Sequence, residues 1–249
     1  MSDARLAGES GRLEVRIARK SFLRPAGDRL EVLRDVVFAV PRGGVAAFVG
    51  PSGCGKTTML RIIAGLDHDY DGAITGEFAG RIGMVFQEPR LLPWRTVEEN
   101  VRLVAPEASE EKLAILFETL ELAPHRAHYP GQLSLGLARR AALARAFAVE
   151  ASLLILDEPF VSLDDALAAR LRNELARLID SRPVTTLLVT HDVEEAVGLA
   201  DRLFLLSAGP ARIIAELPIE RREPSAGRTA AIKAEVARLT QAARSVSCG

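Results

Sequence analysis

The sequence predicts an α/β fold in which a parallel sheet carries flanking helices, with an antiparallel β region before it and a helical insertion within it. From residue 50 onward, strand-like apolar runs alternate with helix-like segments, as in βα units around a parallel sheet. Before residue 50, β-type runs follow one another, separated by polar or Gly/Pro-containing stretches. Between residues 109 and 148, apolar residues recur at helical spacing.

The strands are predicted in chain order. The runs LEVRIA (13–18), VVFAV (36–40) and VAAFV (45–49) indicate a mostly antiparallel β region at about 1–49. A core of βα units should occupy 50–89 and 149–220. Its later strands are expected at RIGMVF (81–86), LLILD (153–157), TTLLVT (185–190) and RLFLLSA (202–208).

The helical segments follow from periodicity and capping. Ser109, followed by two glutamates, is a suitable helix start, and 90–148 is interpreted as a helical insertion. The segment 221–249 is predicted as a C-terminal helix. Its face carrying Ile232, Val236, Leu239 and Ala243 favours packing over membrane binding. We expect the whole chain, 1–249, to form a single domain.

Composition excludes several classes of protein. With 48% hydrophobic residues, the chain can bury a substantial core, so disorder is not expected. A net charge of −1 gives no general attraction to nucleic acid, and no nucleic-acid partner is predicted. MSDARLAGES lacks a signal-peptide apolar region, and no run is long enough to cross a bilayer. Cys54 and Cys248 are far apart in sequence, so a cytoplasmic chain without disulfides is expected.

A glycine-rich loop follows the apolar run VAAFV. The stretch GPSGCGKTT at 50–58 matches G-x-x-x-x-G-K-[ST] and precedes a helical segment, the context that gives this pattern its meaning. Its backbone N–H groups should surround phosphate oxygens, Lys56 should reach the β- and γ-phosphates, and Thr57 should offer a hydroxyl to Mg²⁺. The predicted ATP-binding residues here are Gly50, Pro51, Ser52, Gly53, Cys54, Gly55, Lys56, Thr57 and Thr58.

An acidic pair ends the apolar run LLILD. Asp157 suits the Mg²⁺ shell, and Glu158 can orient or deprotonate the attacking water. Taken alone, such a pair could equally cap the next helix. The phosphate loop elsewhere in the chain favours the catalytic interpretation.

With these motifs in order, the chain resembles the ATPase subunits of ABC transporters over nearly its full length. GPSGCGKTT resembles the Walker A motif, LSLGL (133–137) the signature, LLILDEP (153–159) Walker B and SLD (162–164) the D-loop. The resemblance implies a P-loop NTPase domain of the ABC type, with an N-terminal antiparallel β subdomain and a helical subdomain. It also implies that the chain hydrolyses ATP with Mg²⁺.

The resemblance assigns further residues. Gln87 in VFQEP corresponds to the Q-loop glutamine near Mg²⁺ and the lytic water, and His191 in VTHD to the switch histidine that donates to the γ-phosphate. Asp164 belongs to the D-loop. Phe22 is the candidate for adenine stacking, with Phe38 as a competitor that its strand position makes a core residue. His125 and His128 are spaced HxxH but lack further ligands, so they are interpreted as structural.

The signature departs from the family pattern LSGGQ. Ser134 and Gly136, expected to contact the γ-phosphate bound by the other subunit, are retained, but Leu135 and Leu137 replace a glycine and the glutamine. If position 135 needs a positive φ, leucine costs about 1–2 kcal/mol. If it needs only close approach, the side chain must turn away from the partner. We expect closure on ATP to be weaker, or turnover slower, than with LSGGQ.

Within the family, EPRLLPWRTVEENV (88–101) resembles the nitrate, sulfonate and taurine importers. Trp94 beside Arg95 suits a docking surface, although a tryptophan that fills the junction between lobes is an equal alternative. The resemblance implies a homodimer on the inner face of the membrane, with permease subunits and, indirectly, a solute-binding protein as partners.

Two other functions are weighed. One is a catalytically weakened, nucleotide-gated assembly factor; the other, a DNA-repair ATPase, lacks the expected coiled coil, zinc cysteines and basic balance.

Overall fold

The structure, a computed structural model, describes residues 11–25, 27–76, 81–161, 163–181, 184–219 and 226–246. The strands are β1 (Leu13–Leu23), β2 (Arg29–Val40), β3 (Val45–Val49), β4 (Asp71–Thr75), β5 (Arg81–Val85), β6 (Ala151–Asp157), β7 (Thr185–Thr190), β8 (Arg202–Leu206) and β9 (Ile213–Pro218). The helices are α1 (Lys56–Ile63), α2 (Val97–Arg102), α3 (Glu110–Thr119), α4 (Leu135–Ala148), α5 (Asp165–Ser181), α6 (Val193–Leu199) and α7 (Ala226–Val246).

A six-stranded sheet forms the centre of the fold, in the order β5-β6-β7-β3-β8-β9. Its neighbouring strands pair in parallel except for β8 and β9, which are antiparallel. Every residue of β3 and β7 is buried, as expected of parallel strands covered on both faces. The α/β class is confirmed. Because β3, β6 and β7 run in the same direction, the segments that follow them meet at one edge of the sheet.

A second sheet, in the order β2-β1-β4, is antiparallel and changes the expected boundaries. β3 was expected to belong to the first 49 residues' antiparallel region, but it pairs in the six-stranded sheet. β4 comes from the segment 50–89 yet joins the antiparallel sheet. A Cβ at Gly72, where φ is 145°, would overlap the carbonyl oxygen of Arg16, so the β1–β4 pairing requires glycine there.

An aromatic cluster joins the two sheets. The rings of Phe38 in β2 and Phe48 in β3 have centroids 4.8 Å apart, and Phe204 in β8 lies 5.2 Å from Phe48 and 5.4 Å from Phe38. Such tilted and stacked pairs add attraction beyond the area they bury. Phe38 is therefore a core residue, as its strand position predicts.

A buried ion pair anchors β1 to the segment after α1. Lys20, 2% exposed, donates to Asp67 Oδ1 at 2.8 Å and to the carbonyl oxygen of Asp69. Burial alone would raise the pKa of Asp67, but hydrogen bonds from Lys20 and the Asp69 N–H outweigh it and hold that pKa below its ordinary value. This pair therefore holds β1 against the segment that follows α1.

The helical region contains α2, α3 and α4. Ser109 caps α3 as predicted, accepting a hydrogen bond from the Lys112 N–H. In α7, Ile232, Val236 and Leu239 pack against the main core, which confirms a packing helix. Within the described ranges, no helix is both long and apolar enough to span a membrane.

Candidate nucleotide-binding site

The phosphate loop connects β3 to α1 at the carboxyl edge of the central sheet. Gly53 and Gly55 have φ values of 74° and 122°, conformations that a larger residue rarely adopts. The Lys56 ammonium is held inside the loop, donating to the carbonyl oxygens of Gly50 and Pro51, both at 2.8 Å. Burial raises the pKa of the Cys54 thiol, which makes this cysteine a packing residue rather than a nucleophile.

The loop borders an open cleft of about 340 Å³. Gln87 and Glu158, predicted from separate motifs, reach this same cleft. The cleft is lined by Val32, Ser52, Gly53, Gly55, Lys56, Thr57, Thr58, Gln87 and Glu158. Gly50 does not line the cleft, and its lack of a side chain permits close packing, because a Cβ there would come within 2.9 Å of Leu206 Cβ.

The Walker A and Walker B residues are joined directly. Thr57 Oγ1 donates to Asp157 Oδ2 at 2.7 Å, and Asp157 is 2% exposed. Burial raises the pKa of Asp157, and the charge of Glu158 adds to that effect. A carboxylate and a hydroxyl are the hard oxygen ligands that Mg²⁺ binds, and a divalent cation would offset the cost of burying Asp157. The residues present therefore fit a magnesium ion.

Glu158 has a left-handed backbone, with φ at 49°. This conformation costs a non-glycine residue about 1–2 kcal/mol and here is supported by a hydrogen bond from the Glu158 N–H to the Val189 carbonyl at 2.8 Å. His191 Nδ1 lies 3.7 Å from Glu158 Oε2. Two of the three predicted catalytic residues, Glu158 and His191, are thus neighbours, although they follow different strands; the third is Gln87.

Gln87 follows β5, and the segment after it is fastened to the helical region. Arg145 in α4 donates to the carbonyl oxygens of Arg90 at 2.8 Å and Pro89 at 3.1 Å. Burial lowers the pKa of Arg145. Sequence reasoning missed this arginine, because its spacing within α4 gives no signal for bonds to a distant loop.

The signature segment is the start of α4. Ser134 is the N-cap, and its hydroxyl accepts from the Leu137 N–H at 3.3 Å. Leu135 is the first helical residue, and its φ is not in the left-handed region, so the strain expected of a positive φ does not arise. Its side chain is 56% exposed, whereas Leu137 packs against the main core. Of the two alternatives for position 135, the positive φ does not occur, and close approach to the partner stays a prediction.

The other predicted residues are placed as follows. Phe22, at the end of β1, is 42% exposed, and Lys20 Nζ lies 4.6 Å from its ring centroid; it does not line the cleft by the phosphate loop. Asp164 caps α5 by accepting from the Leu167 N–H at 2.9 Å. Ser162 of the D-loop is outside the described residues.

The two histidines of the HxxH pair contact each other. The Nδ1 atoms of His125 and His128 are 3.1 Å apart. Across the described part of the chain, no cluster of three or more His, Cys, Asp or Glu residues could hold a metal ion.

Comparisons with known proteins identify the family. The family described as ABC transporter matches residues 33–161. An aliphatic sulfonates import ATP-binding protein, SsuB 2, of Burkholderia cenocepacia is 40% identical over 238 residues, which cover 92% of this chain and 86% of the relative. SsuB of Bacillus subtilis, also named an aliphatic sulfonates import ATP-binding protein, is 38% identical over 222 residues, covering 84% and 86%.

Solved structures give the same result. A dimeric bacterial ABC transporter cassette superposes with a TM-score of 0.76 at 27% identity, covering 84% of this chain and 99% of the other. A dimeric ATP-binding cassette in a post-hydrolysis state, bound to ADP and Pi, superposes with a TM-score of 0.74 at the same identity and coverage. Together with the joined phosphate loop, Walker B acids and switch histidine, these similarities show that the chain belongs to the ABC transporter family, as one of its ATP-hydrolysing cassettes.

Proposed function

We propose that this chain hydrolyses ATP to energise an importer of aliphatic sulfonates. The observation that carries the proposal is the convergence of Thr57, Asp157, Glu158 and His191 at the phosphate loop. The substrate class rests on relatives named as aliphatic sulfonates import proteins that align with most of the chain. It falls within the nitrate, sulfonate and taurine group that the segment 88–101 resembles.

The chemistry follows from the positions of these side chains. Glu158, 15% exposed, is the group that accepts a proton from the attacking water, and His191, 61% exposed, donates a hydrogen bond to the γ-phosphate. Lys56 and the loop N–H groups hold the β- and γ-phosphates. A Mg²⁺ ion, held by Thr57, Asp157 and Gln87, would neutralise phosphate charge.

A homodimer supplies the second half of each site. Ser134 and Gly136 stand at the exposed start of α4, where N–H groups and the helix dipole favour an anion. In the proposed dimer, they contact the nucleotide held by the other subunit. Asp164, at the start of α5, contributes to the same interface, and Phe22 stacks on the adenine.

The proposed permease contact is a loop that displays Trp94. This side chain is 70% exposed, so it does not fill the junction between lobes. Asn100, fully buried, holds the loop: it accepts from the Leu92 N–H at 2.8 Å and donates to the carbonyl oxygens of Arg95 at 3.1 Å and Thr96 at 2.9 Å. A large aromatic group on a preformed loop is typical of an interface hot spot.

The docking proposal is tested by co-purification. The chain is co-expressed with the permease subunit of a sulfonate importer from the same genome. Trp94→Ala is compared with Ile115→Ala, which removes a similarly exposed apolar side chain from α3. We expect Trp94→Ala to weaken permease association by about 2 kcal/mol or more and to leave the isolated subunit's ATPase rate unchanged. Equal recovery of permease with both variants would contradict the docking surface.

The transport proposal is tested by uptake in a strain from which the gene is deleted. We expect uptake of alkanesulfonates to be lost and to return with the wild-type gene but not with Glu158→Gln. Uptake of nitrate, taurine and a pyrimidine precursor is measured alongside to place the substrate within the group. Unchanged alkanesulfonate uptake would refute the sulfonate assignment, and a soluble complex without any permease would favour an assembly factor.

The proposed location is the cytoplasmic face of the membrane. The chain would be held there by its permease, and a solute-binding protein on the opposite side would deliver the substrate. Fractionation with and without the permease tests this, because membrane association should require the permease.

A further inference from the structure

A buried hydrogen-bonded pair lies on either side of His191 in sequence. Thr190, at the end of β7, is 1% exposed, and Glu195, in α6, is 8% exposed. Thr190 Oγ1 donates to Glu195 Oε2 at 2.6 Å. The same hydroxyl oxygen accepts from the Asp192 N–H at 3.0 Å. One hydroxyl therefore ties the strand end, the residue after His191 and the helix together.

His191 itself has little packing to hold it. Its side chain is 61% exposed, yet its Nδ1 atom must stay near Glu158, from whose Oε2 it lies 3.7 Å. The backbone on both sides is fixed instead. Thr190 is bonded to Glu195, and Asp192 caps α6 by accepting from the Glu194 N–H at 2.8 Å. The direction of the imidazole thus depends on this frame.

The burial of an acidic side chain at Glu195, close to the exposed His191, has an energetic cost that some interaction must offset. Glu195 lies on the inward face of α6 beside Ala196 and Val197, a position where an apolar residue would pack without desolvation cost. Burial raises the pKa of Glu195, and Asp192 adds to that effect, while Thr190, Arg172 and His191 act against it. The bond to Thr190 is the specific interaction that an apolar residue could not make.

We propose that Glu195 is a positioning residue that, through Thr190, holds His191 in the direction required for contact with the γ-phosphate. This inference rests on the role proposed for His191. Glu195 does not line the cleft by the phosphate loop, so we expect its effect to be on orientation and not on binding. A small misplacement of a catalytic group can reduce the rate by about 100-fold, which sets the scale of the effect.

The variants separate this role from general stability. Glu195→Ala and Thr190→Val remove the bond, whereas Glu195→Gln and Thr190→Ser keep an acceptor and a donor of similar shape. We expect the first two to lower kcat by about 10-fold or more with ATP affinity little changed, and the second two to retain most of kcat.

A double-mutant cycle tests whether Glu195 acts through His191. In a His191→Ala background, Glu195→Ala should cause no further loss of kcat. An equal loss in both backgrounds would mean that the pair merely stabilises the fold, and the inference would be wrong. If His191→Ala alone leaves kcat unchanged, the role proposed for His191 fails instead.

A readout independent of activity is available because the sequence has four histidines. With isotope-labelled histidine, the imidazole resonances of His68, His125, His128 and His191 can be assigned by single substitutions. We expect Glu195→Ala to shift or broaden the His191 signal alone, and Glu195→Gln to leave it near the wild-type position. An unchanged His191 signal in folded Glu195→Ala, or in Thr190→Val, would overturn the inference.

Discussion

Replacing Leu135 tests the part of the site that differs from the family pattern. Leu135 is the first residue of α4, between Ser134 and Gly136, and its side chain is 56% exposed. Its backbone is helical, so the leucine stores no left-handed strain in the single subunit. In the proposed dimer, the side chain becomes costly only when the other subunit's nucleotide approaches and the leucine must move aside.

The size of this cost follows from the rotamer. Forcing a side chain away from its preferred angle costs about 0.5–1.5 kcal/mol. The proposed dimer has two such sites, so closure should cost about 1–3 kcal/mol in total, a factor of about 5 to 150 in the dimer constant. Leu135→Gly should recover that factor, but glycine also weakens a helix by up to about 1 kcal/mol. Leu135→Ala removes the bulk and keeps helix propensity, so it should tighten closure at least as much.

ATP-dependent dimerisation measures closure directly. In a Glu158→Gln background, where hydrolysis is expected to stop, light scattering gives the dimer dissociation constant, and turnover is measured without that change. Ile115→Ala, which shortens a 62% exposed side chain on α3, is the matched control. We expect both Leu135 variants to dimerise about 5 to 150 times more tightly, because each dimer contains two Leu135 contacts, with the control unchanged. Equal dimer constants and equal turnover for wild type and both variants would refute the reasoning.

Three further outcomes are expected. Glu158→Gln should abolish steady-state ATP hydrolysis while ATP still binds, because its amide cannot take a proton from water; an undiminished rate would remove the catalytic assignment. Gly55→Ala should abolish nucleotide binding, since φ is 122° and the Cβ would come within 2.8 Å of the Val32 side chain; Gly131→Ala, with open space around it, is the control in the same nucleotide titration. Asp67→Asn should lower the free energy of unfolding by about 1–2 kcal/mol at neutral pH, because Lys20, 2% exposed, then faces a neutral amide in place of the carboxylate. That loss should be full above the ordinary carboxyl pKa of about 4 and disappear as the pH falls through the lowered value in the folded state. Denaturant unfolding across this pH range checks it, with the exposed Asp71→Asn as control, and a loss that does not change with pH would contradict the assignment.

The strands that hold the phosphate loop were predictable because their signal is local. VAAFV and TTLLVT are fully buried, and the observed bounds of β3 and β7 equal the predicted ones. β4 and β9 were missed. β4 is mostly exposed and opens with Asp71 and Gly72, and β9 is half-buried, so neither shows a continuous apolar run. Their pairing is decided by neighbours distant in sequence.

The residues of the candidate site likewise fall into those that the sequence predicts and those that only the folded structure shows. Chemistry that depends on residue type and spacing, as at Lys56 and Asp157, is visible in the sequence. The conformation of Leu135 was not, because a serine followed by leucine and glycine is compatible with either a helix start or a left-handed turn. Glu195 was also missed, because glutamates near a helix start usually face solvent, and only tertiary packing turns this one inward.

The ring cluster of Phe38, Phe48 and Phe204 connects two parts of the proposed nucleotide site, so that one substitution in it should affect both parts. Phe48 lies in the strand that leads into the phosphate loop, and Phe38 lies in the strand paired with the one that ends near Phe22. A change of ring size there would disturb both the sheet that carries Phe22, proposed to stack on the adenine, and the strand that leads into the phosphate loop. Affinities for adenosine and for inorganic triphosphate should therefore decline in parallel along a series of Phe48 substitutions.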